Sequence, residues 1–297
     1  MRFIKAFIVM LVVATSFSVY ASDKKIQIHA VNYPLSYFAQ RIAGDAAQVY
    51  FLLPTDEDPA YADPDLEVIL AFQRADLILL NGANYAKWIK KTSLPTSKMV
   101  DTSRKLKSKY IYTDQVTTHS HGGAGEHAHE NLAFTTWLDF QMSIEQADSI
   151  KNALIKKLPS KKEQFERNFL SLKADLQSLD DDLKKLCKTK ADIPILASHP
   201  VYQYYSRAYK LNIKSLHWEP DQILSKSDLN ELKKILPDHP AQWLIWEGTP
   251  GAYTVELLDS MGISSIVFSP CSVPPEDGDF LTQMQQNIKN LQPIFID

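Results

Sequence analysis

Histidines are concentrated in one short stretch of the chain. Residues 117–130 read TTHSHGGAGEHAHE and hold four of the eight histidines, as two H-x-H pairs, His119/His121 and His127/His129. Imidazole has a pKa near 6.5, so most of these rings are neutral at pH 7 and can coordinate zinc or a similar transition ion. The glycines between the pairs let both fold towards one ion, although ordering each residue costs about 1–2 kcal/mol. The stretch therefore predicts a flexible segment with modest metal affinity.

The start of the chain predicts export. Arg2 and Lys5 are followed by a short apolar run, residues 7–14, and then by small residues that end at Ala21. Such a run is typical of a signal peptide, so we predict cleavage after Ala21, a periplasmic location and no membrane span in the mature chain. Removing the two cations takes the formal charge from −3 to −5, and this mild acidity argues against nucleic acid as a partner.

Strand and helix patterns alternate on both sides of residues 144–188, whose first part, 144–158, is predicted to be an amphipathic helix. Those before this range are, in chain order, 26–31, 35–44, 49–54, 66–75 and 75–82. Those after it are 193–200, 201–211, 213–220, 225–236, 243–248, 252–262, 264–270 and 279–291. The pattern at 225–236 has a Ser-capped start, with Asp228 in its first turn. Alternation of this kind indicates βαβ units and parallel sheets. We predict an α/β fold with an N-terminal lobe over residues 22–158 and a C-terminal lobe over residues 190–297.

Residues 159–189 are predicted to form one long helix that links the two lobes. From 160 to 188 the sequence contains neither Gly nor Pro, and its apolar residues recur every three or four positions: Phe165, Phe169, Leu172, Leu176, Leu179, Leu183 and Leu186. This spacing marks one buried helix face. A coiled-coil dimer is the alternative, but so short a stripe fits a helix that braces the lobes of a monomer better.

Six segments in a fixed order carry a resemblance to a known family. They are ADLILLNG at 75–82, TTWLDF at 135–140, SHPVYQYYSRAYKL at 198–211, WEP at 218–220, LIWEGTPG at 244–251 and IVFSP at 266–270. With the histidine-rich loop and the long helix, they resemble the zinc- and manganese-type substrate-binding proteins of bacterial ABC importers, over essentially the whole mature chain. The resemblance implies two lobes that do not close by a wide hinge. It also implies a divalent ion such as Zn²⁺ between them and an inner-membrane permease as partner.

The resemblance further implies about four metal ligands, and most of these positions hold other residues here. Ala60, Thr135, His199 and Ser269 stand at the four positions, so only His199 keeps a strong donor. A methyl group donates nothing, and hydroxyls are poor partners for an ion that prefers nitrogen, thiolate or carboxylate ligands.

Three hypotheses follow from this departure. In the first, the site between the lobes is rebuilt around His199 from other donors, with these candidates: Glu247, Cys271, His217, Glu57, Asp58 and Asp63. In the second, which we favour for the main hold on the ion, the loop at 117–130 binds the metal. In the third, the fold binds a small organic molecule, a metal chelate or a protein partner without a bare-ion site. The cleft would then be lined by Tyr61, Thr135, Trp137, His199, Tyr202, Trp218, Trp246 and Ser269.

The chain has two cysteines, and the sequence leaves their roles open. Cys187 and Cys271 are the only cysteines, and in an oxidising compartment they could pair if their geometry allows it. Cys271 could instead be a buried thiol or, as a thiolate, a zinc ligand. The sequence has no G-x-S-x-G or H-E-x-x-H motif, so we predict no enzymatic activity.

Overall fold

The computed structural model describes residues 25–113, 118–120, 126–128, 132–188, 190 and 192–296. The predicted signal peptide, residues 1–21, lies outside these ranges, as do His121 and His129. None of the helices formed by the described residues has the length and hydropathy of a membrane span.

The first lobe is built on a parallel sheet of four strands in the order β2-β1-β3-β4. Its elements are β1 (Ile26–Ala30), α1 (Tyr33–Ala43), β2 (Ala47–Tyr50), α2 (Leu66–Arg74), β3 (Leu77–Leu80), β4 (Met99–Asp101), β5 (Thr118–Ser120), β6 (Glu126–Ala128) and α3 (Phe140–Lys157). Short 3-10 helices lie at Gly44–Ala46, Lys87–Lys91, Thr96–Lys98, Arg104–Lys109 and Thr136–Leu138. Strand β4 was not predicted, because three residues are too few to show a period.

Helix caps explain where the first-lobe helices begin. The side chain of Asn32 accepts a hydrogen bond from the Leu35 amide, so α1 begins two residues before the predicted start of its pattern. Asp139 accepts from two amides of the first turn of α3, which begins at Phe140 and not at the predicted residue 144. Both helix starts were missed because periodicity reports the apolar face and not the cap.

The second lobe repeats the architecture of the first. Its parallel sheet has the strand order β10-β9-β7-β8. Its elements are β7 (Pro194–Ala197), α5 (Gln203–Tyr209), β8 (Asn212–Ser215), α6 (Lys226–Ile235), β9 (Trp243–Trp246), α7 (Ala252–Ser260), β10 (Ser264–Val267) and α8 (Phe280–Phe295). Ser225 and Asp228 form the capping box of α6, in agreement with the capped start that the sequence predicts. The predicted fold class, two α/β lobes on parallel sheets, is confirmed.

One long helix, α4 (Lys162–Cys187), follows a 3-10 turn at Pro159–Lys161 and packs against α1, α3 and α8. Six of the seven residues of its predicted apolar stripe are buried, and Leu186 is partly buried. The stripe is thus covered by the chain's own helices, which removes the basis for the coiled-coil alternative. The domain boundaries at 158 and 189 stay predictions.

Several hydrogen bonds cross directly from one lobe to the other. Trp137 Nε1 donates to the carbonyl of Pro270 at 2.8 Å, and the Tyr204 hydroxyl donates to the carbonyl of Ala133 at 3.0 Å. The buried Asp180 of α4 accepts from Tyr209 of the second lobe at 3.1 Å. These bonds are made by buried groups, which are costly to leave unpaired, so they oppose wide separation of the lobes.

Candidate metal centre

Three side chains of the types that bind metal ions follow three neighbouring strands of the second sheet. His199 comes two residues after β7, Glu219 lies in the loop after β8, and Glu247 comes directly after β9. Because β9, β7 and β8 are adjacent and parallel, their carboxyl ends meet at one edge of the sheet. Ligand sites of open α/β sheets lie at this edge. The sheet topology therefore brings together residues that are far apart in sequence.

The three side chains are close enough to share one ion. Nδ1 of His199 lies 3.7 Å from Oε1 of Glu219 and 3.8 Å from Oε1 of Glu247. One donor atom of each residue lies within 4.8 Å of the other two. Two ligands of a tetrahedral ion, each about 2.1 Å from it, are about 3.4 Å apart. The two imidazole–carboxylate distances exceed this spacing by only a few tenths of an ångström, and side-chain shifts of about 1 Å or less would bring all three donors onto one ion.

Backbone contacts hold the three loops in register. The amide of Ser198 donates to the carbonyl of Ile245 at 2.8 Å, and the amide of Trp218 donates to the carbonyl of Ser198 at 2.7 Å. Gly248 lies so close to Pro220 that a Cβ at this position would be 3.3 Å from the proline ring. A side chain there would press on the proline ring that follows Glu219.

The electrostatics of the cluster favour a cation. Burial, together with the nearby carboxylates of Glu219 and Asp58, raises the pKa of Glu247 to about 8. Glu247 thus holds a proton near neutral pH in the absence of metal. A divalent ion among these carboxylates would replace that proton and relieve the repulsion, since an opposite charge within a few ångströms favours the ionised form.

The raised pKa of Glu247 predicts that the metal-free protein loses stability as the pH rises. In the unfolded chain this carboxyl titrates near 4.5, whereas in the folded chain it stays protonated up to about pH 8. Its contribution to the free energy of unfolding is therefore fully present below pH 4.5 and is lost between pH 4.5 and 8, by at most about 1.4 kcal/mol per pH unit. Urea unfolding of metal-free protein at pH 5, 6, 7 and 8 measures this slope. Glu247→Gln should flatten it, and parallel curves for the two proteins would contradict the assignment.

The other positions that the family resemblance marks do not join the cluster. Ala60 is fully buried, and its amide donates to Asp58 Oδ1 at 2.9 Å. The Thr135 hydroxyl donates to the carbonyl of Val201 across the lobe boundary. Ser269 Oγ accepts from the amide of Cys271 at 3.2 Å. Thr135 and Ser269 therefore make structural hydrogen bonds beside the three donors.

The two cysteines are free and buried, so the structure contains no Cys187–Cys271 disulfide. Burial raises the pKa of the Cys271 thiol to about 12, and burial has the same effect on Cys187. A thiol with so high a pKa is neutral at pH 7 and is a poor metal ligand. Cys271 lines the cleft but does not belong to the three-donor group.

The cleft between the lobes is a cavity of about 680 Å³. Its lining includes five residues of the set predicted for the third hypothesis: Tyr61, Thr135, Trp137, His199 and Ser269. The prediction was wrong for Tyr202, Trp218 and Trp246, which are buried in the lobe core and do not line the cavity. Aromatic residues at strand ends cannot be assigned to cleft or core from sequence alone, because both environments favour them.

The remaining candidate donors take different positions. Glu57, Asp58 and Asp63 line the cavity without joining the three-donor group. The ring of His217 packs edge-on against that of His199, with centroids 6.0 Å apart, but His217 also stays outside the group.

The described part of the histidine-rich loop is a two-stranded antiparallel ribbon. Strands β5 and β6 pair in a register that puts His119 directly opposite His127. At the base of the loop, Tyr112 and Leu132 form an antiparallel bridge. The two ends of the loop are thus close together.

Glu219 was not predicted as a donor, because the segment WEP, residues 218–220, served only as a marker of the family resemblance and not as a source of ligands. One signal was present: like His199 and Glu247, Glu219 lies at the C-terminal end of a predicted strand of the second lobe, and the carboxyl ends of parallel strands converge.

The chain has two α/β lobes, a long helix that joins them and a group of candidate metal donors in the cleft. This combination is that of the metal-type substrate-binding proteins. The family described as zinc-uptake complex component A, periplasmic (ZnuA), matches residues 28–293, and the chain belongs to this family. The predicted family is therefore confirmed. The family's description as a periplasmic component of a zinc-uptake complex agrees with the prediction of a substrate-binding component and not an enzyme.

Curated relatives match most of the chain at modest identity. The zinc-binding lipoprotein AdcA of Streptococcus pneumoniae is 25% identical over 289 residues, which are 91% of this chain and 56% of AdcA. The chain thus spans just over half the length of this relative. The iron ABC transporter substrate-binding lipoprotein MtsA of Streptococcus pyogenes is 28% identical over 233 residues, 73% of this chain and 71% of MtsA.

Solved structures share the fold. The metal-dependent lipoprotein YcdH of Bacillus subtilis superimposes with a TM-score of 0.76 at 21% identity and covers 91% of this chain and 98% of its own. The Zn(II)-bound ZnuA-like domain of Streptococcus pneumoniae AdcA has a TM-score of 0.75 at 21% identity, and the match covers 92% of this chain and 100% of that domain. The Pseudomonas aeruginosa protein FpvC in complex with Mn²⁺ has a TM-score of 0.73 at 23% identity, and the match covers 92% of this chain and 99% of FpvC.

Proposed function

We propose that this protein is the periplasmic solute-binding component of an ABC metal importer, and that its cargo ion binds to His199, Glu219 and Glu247. The observation that carries the proposal is the convergence of one imidazole and two carboxylates, within 4.8 Å, inside a cleft between two lobes. An exported protein with such a site would collect an ion and deliver it to an inner-membrane permease. This set of donors supports the hypothesis of a rebuilt cleft site over a site confined to the loop.

Zn²⁺ is the proposed cargo. It accepts histidine and carboxylate ligands in a tetrahedral set, and it binds nitrogen and oxygen donors more tightly than Mn²⁺ or Fe²⁺ does. The names of two relatives support a transition metal: AdcA is a zinc-binding lipoprotein and MtsA belongs to an iron transporter. Two carboxylates and one imidazole also suit Mn²⁺, so discrimination against Mn²⁺ should follow intrinsic affinity.

The histidine-rich loop is proposed to collect ions for the cleft. Its base is closed by the Tyr112–Leu132 bridge, and its strands place His119 opposite His127. Its four histidines, His119, His121, His127 and His129, can bind ions only weakly, because ordering a flexible segment opposes binding. The loop would thus raise the local ion concentration, while the cleft retains the ion.

Calorimetric titration of Zn²⁺ into two proteins tests this division of roles. In the first variant a short turn replaces residues 114–131, which the paired ends of the loop allow; in the second, the four loop histidines are asparagines. We expect both variants to keep one tight site, with an affinity within about threefold of wild type, and to lose only weaker binding. If the tight site disappears from both variants, the loop and not the cleft holds the ion.

A further inference from the structure

We propose that the cleft takes up its metal ion together with a small nitrogen-bearing organic chelator, of the class of amino acids that coordinate through amine and imidazole groups. This inference rests on the proposed function, because the chelator would share the ion held by His199, Glu219 and Glu247. It adds a second component to the cargo.

The cleft is larger than a single metal ion requires. The cavity measures about 680 Å³, and it extends beyond the three donors to a wall formed by the first lobe. Pockets for small organic molecules measure about 300–1,000 Å³. A single ion with its three protein ligands fills only one corner of this space. The remainder has the size of a site for an amino acid.

All three donors lie on one wall of the cleft, the wall formed by the second lobe. His199, Glu219 and Glu247 all belong to the second lobe, and zinc takes at least one further ligand. On the opposite wall, the Thr135 hydroxyl is engaged with a backbone carbonyl, and the carboxylates of Glu57, Asp58 and Asp63 stay outside the three-donor group. The open coordination positions therefore face the cavity, where a chelator can supply nitrogen donors.

The side chains that line the cavity carry an excess of negative charge. Of the described residues that line the cavity, only Lys87 carries an ammonium group, whereas six carry carboxylates: Asp56, Glu57, Asp58, Asp63, Glu219 and Glu247. One divalent ion neutralises only part of this charge. An anionic chelator such as citrate would add to the repulsion, whereas a chelate that keeps a net positive charge would be attracted.

Two residues that line the cavity each have a buried polar atom without a hydrogen-bond partner among the described residues. Asn84 and Gln203 both line the cavity, and Nδ2 of Asn84 and Oε1 of Gln203 are buried and make no hydrogen bond. Buried polar atoms are rarely left unpaired, because the cost is about 1–3 kcal/mol. An amide N–H can donate to a carboxylate, and an amide oxygen can accept from a coordinated amine or imidazole N–H. A metal-bound amino acid offers both partners.

The test uses the metal-free protein, Zn²⁺ and radiolabelled L-histidine in equilibrium dialysis, with citrate in place of histidine as the anionic control. We expect one histidine to be retained per zinc-loaded protein, with at least tenfold weaker retention without zinc and no retention of citrate. Asn84→Gly keeps the left-handed backbone of this residue, whose φ is 57°, and removes the amide. It should lower histidine retention at least fivefold and leave the affinity for zinc alone within about twofold.

Gln203→Leu provides a second, independent variant with the same expected result. If zinc binds alone and histidine only removes it from the protein, the chelator inference is wrong and the proposed function stands. If zinc does not bind with or without histidine, the proposed function itself fails. Retention of histidine that neither variant weakens would overturn the assigned contacts and, with them, the inference.

Discussion

Replacing Glu247 with glutamine is expected to weaken Zn²⁺ binding by more than about 100-fold. The variant removes one of three protein ligands and replaces a charged oxygen with a neutral amide. Substitutions that only disturb the support of a metal ligand already cost about 10–100-fold in affinity, so loss of a ligand should cost more. A competition titration against a chromophoric zinc chelator measures the change.

Glu57→Gln is the matched control for this experiment. Glu57 lines the same cavity and carries the same charge, but it lies outside the three-donor group. Its replacement should change the affinity by no more than a few-fold, through the loss of one distant charge. Equal losses in the two variants would mean that the cleft attracts zinc by its overall charge and not by ligation.

The largest expected effect on stability comes from the linking helix. Leu172→Ala should lower the free energy of unfolding by about 3 kcal/mol, because the Leu172 side chain is fully buried in the core and its removal leaves a cavity. Helix α4 packs against α1, α3 and α8, so this loss affects both lobes. Urea unfolding, followed by circular dichroism, gives the change in free energy.

Leu170→Ala makes the same chemical change two residues away on the exposed face of the same helix. Leu170 is 60% exposed, so its replacement should change the free energy of unfolding by no more than about 0.5 kcal/mol. Similar losses at both positions would show that the buried stripe of α4 does not brace the lobes.

The fold could be predicted from sequence because its signals are local and repeated. Apolar strands such as ADLILLNG and the stripe on α4 follow from residue spacing alone, and the second lobe repeats the alternation of the first. The errors fell at element ends. Helix α3 begins at its Asp139 cap, and β4 (Met99–Asp101) forms because β3 offers a free edge, which is a tertiary effect.

The site was harder to predict, because it depends on which strand ends are neighbours. His199 and Glu247 were both named as candidates, whereas Glu219 was not, because the sequence does not show which strand ends are neighbours. Only the strand order β9-β7-β8 brings Glu219 to the edge of the sheet that holds the other two. Cys271 shows the opposite case: a strong donor by residue type is a neutral thiol in the fold, because burial raises its pKa.

Anomalous scattering from a crystal soaked in Zn²⁺ tests the assigned ligands most directly, since it locates the ion without reference to any assumed donor. We predict one strong peak between the lobes, about 2.0–2.2 Å from an imidazole nitrogen of His199 and from one carboxylate oxygen each of Glu219 and Glu247. A crystal whose only zinc is bound by the histidines of residues 117–130, with nothing between these three side chains, would contradict the account.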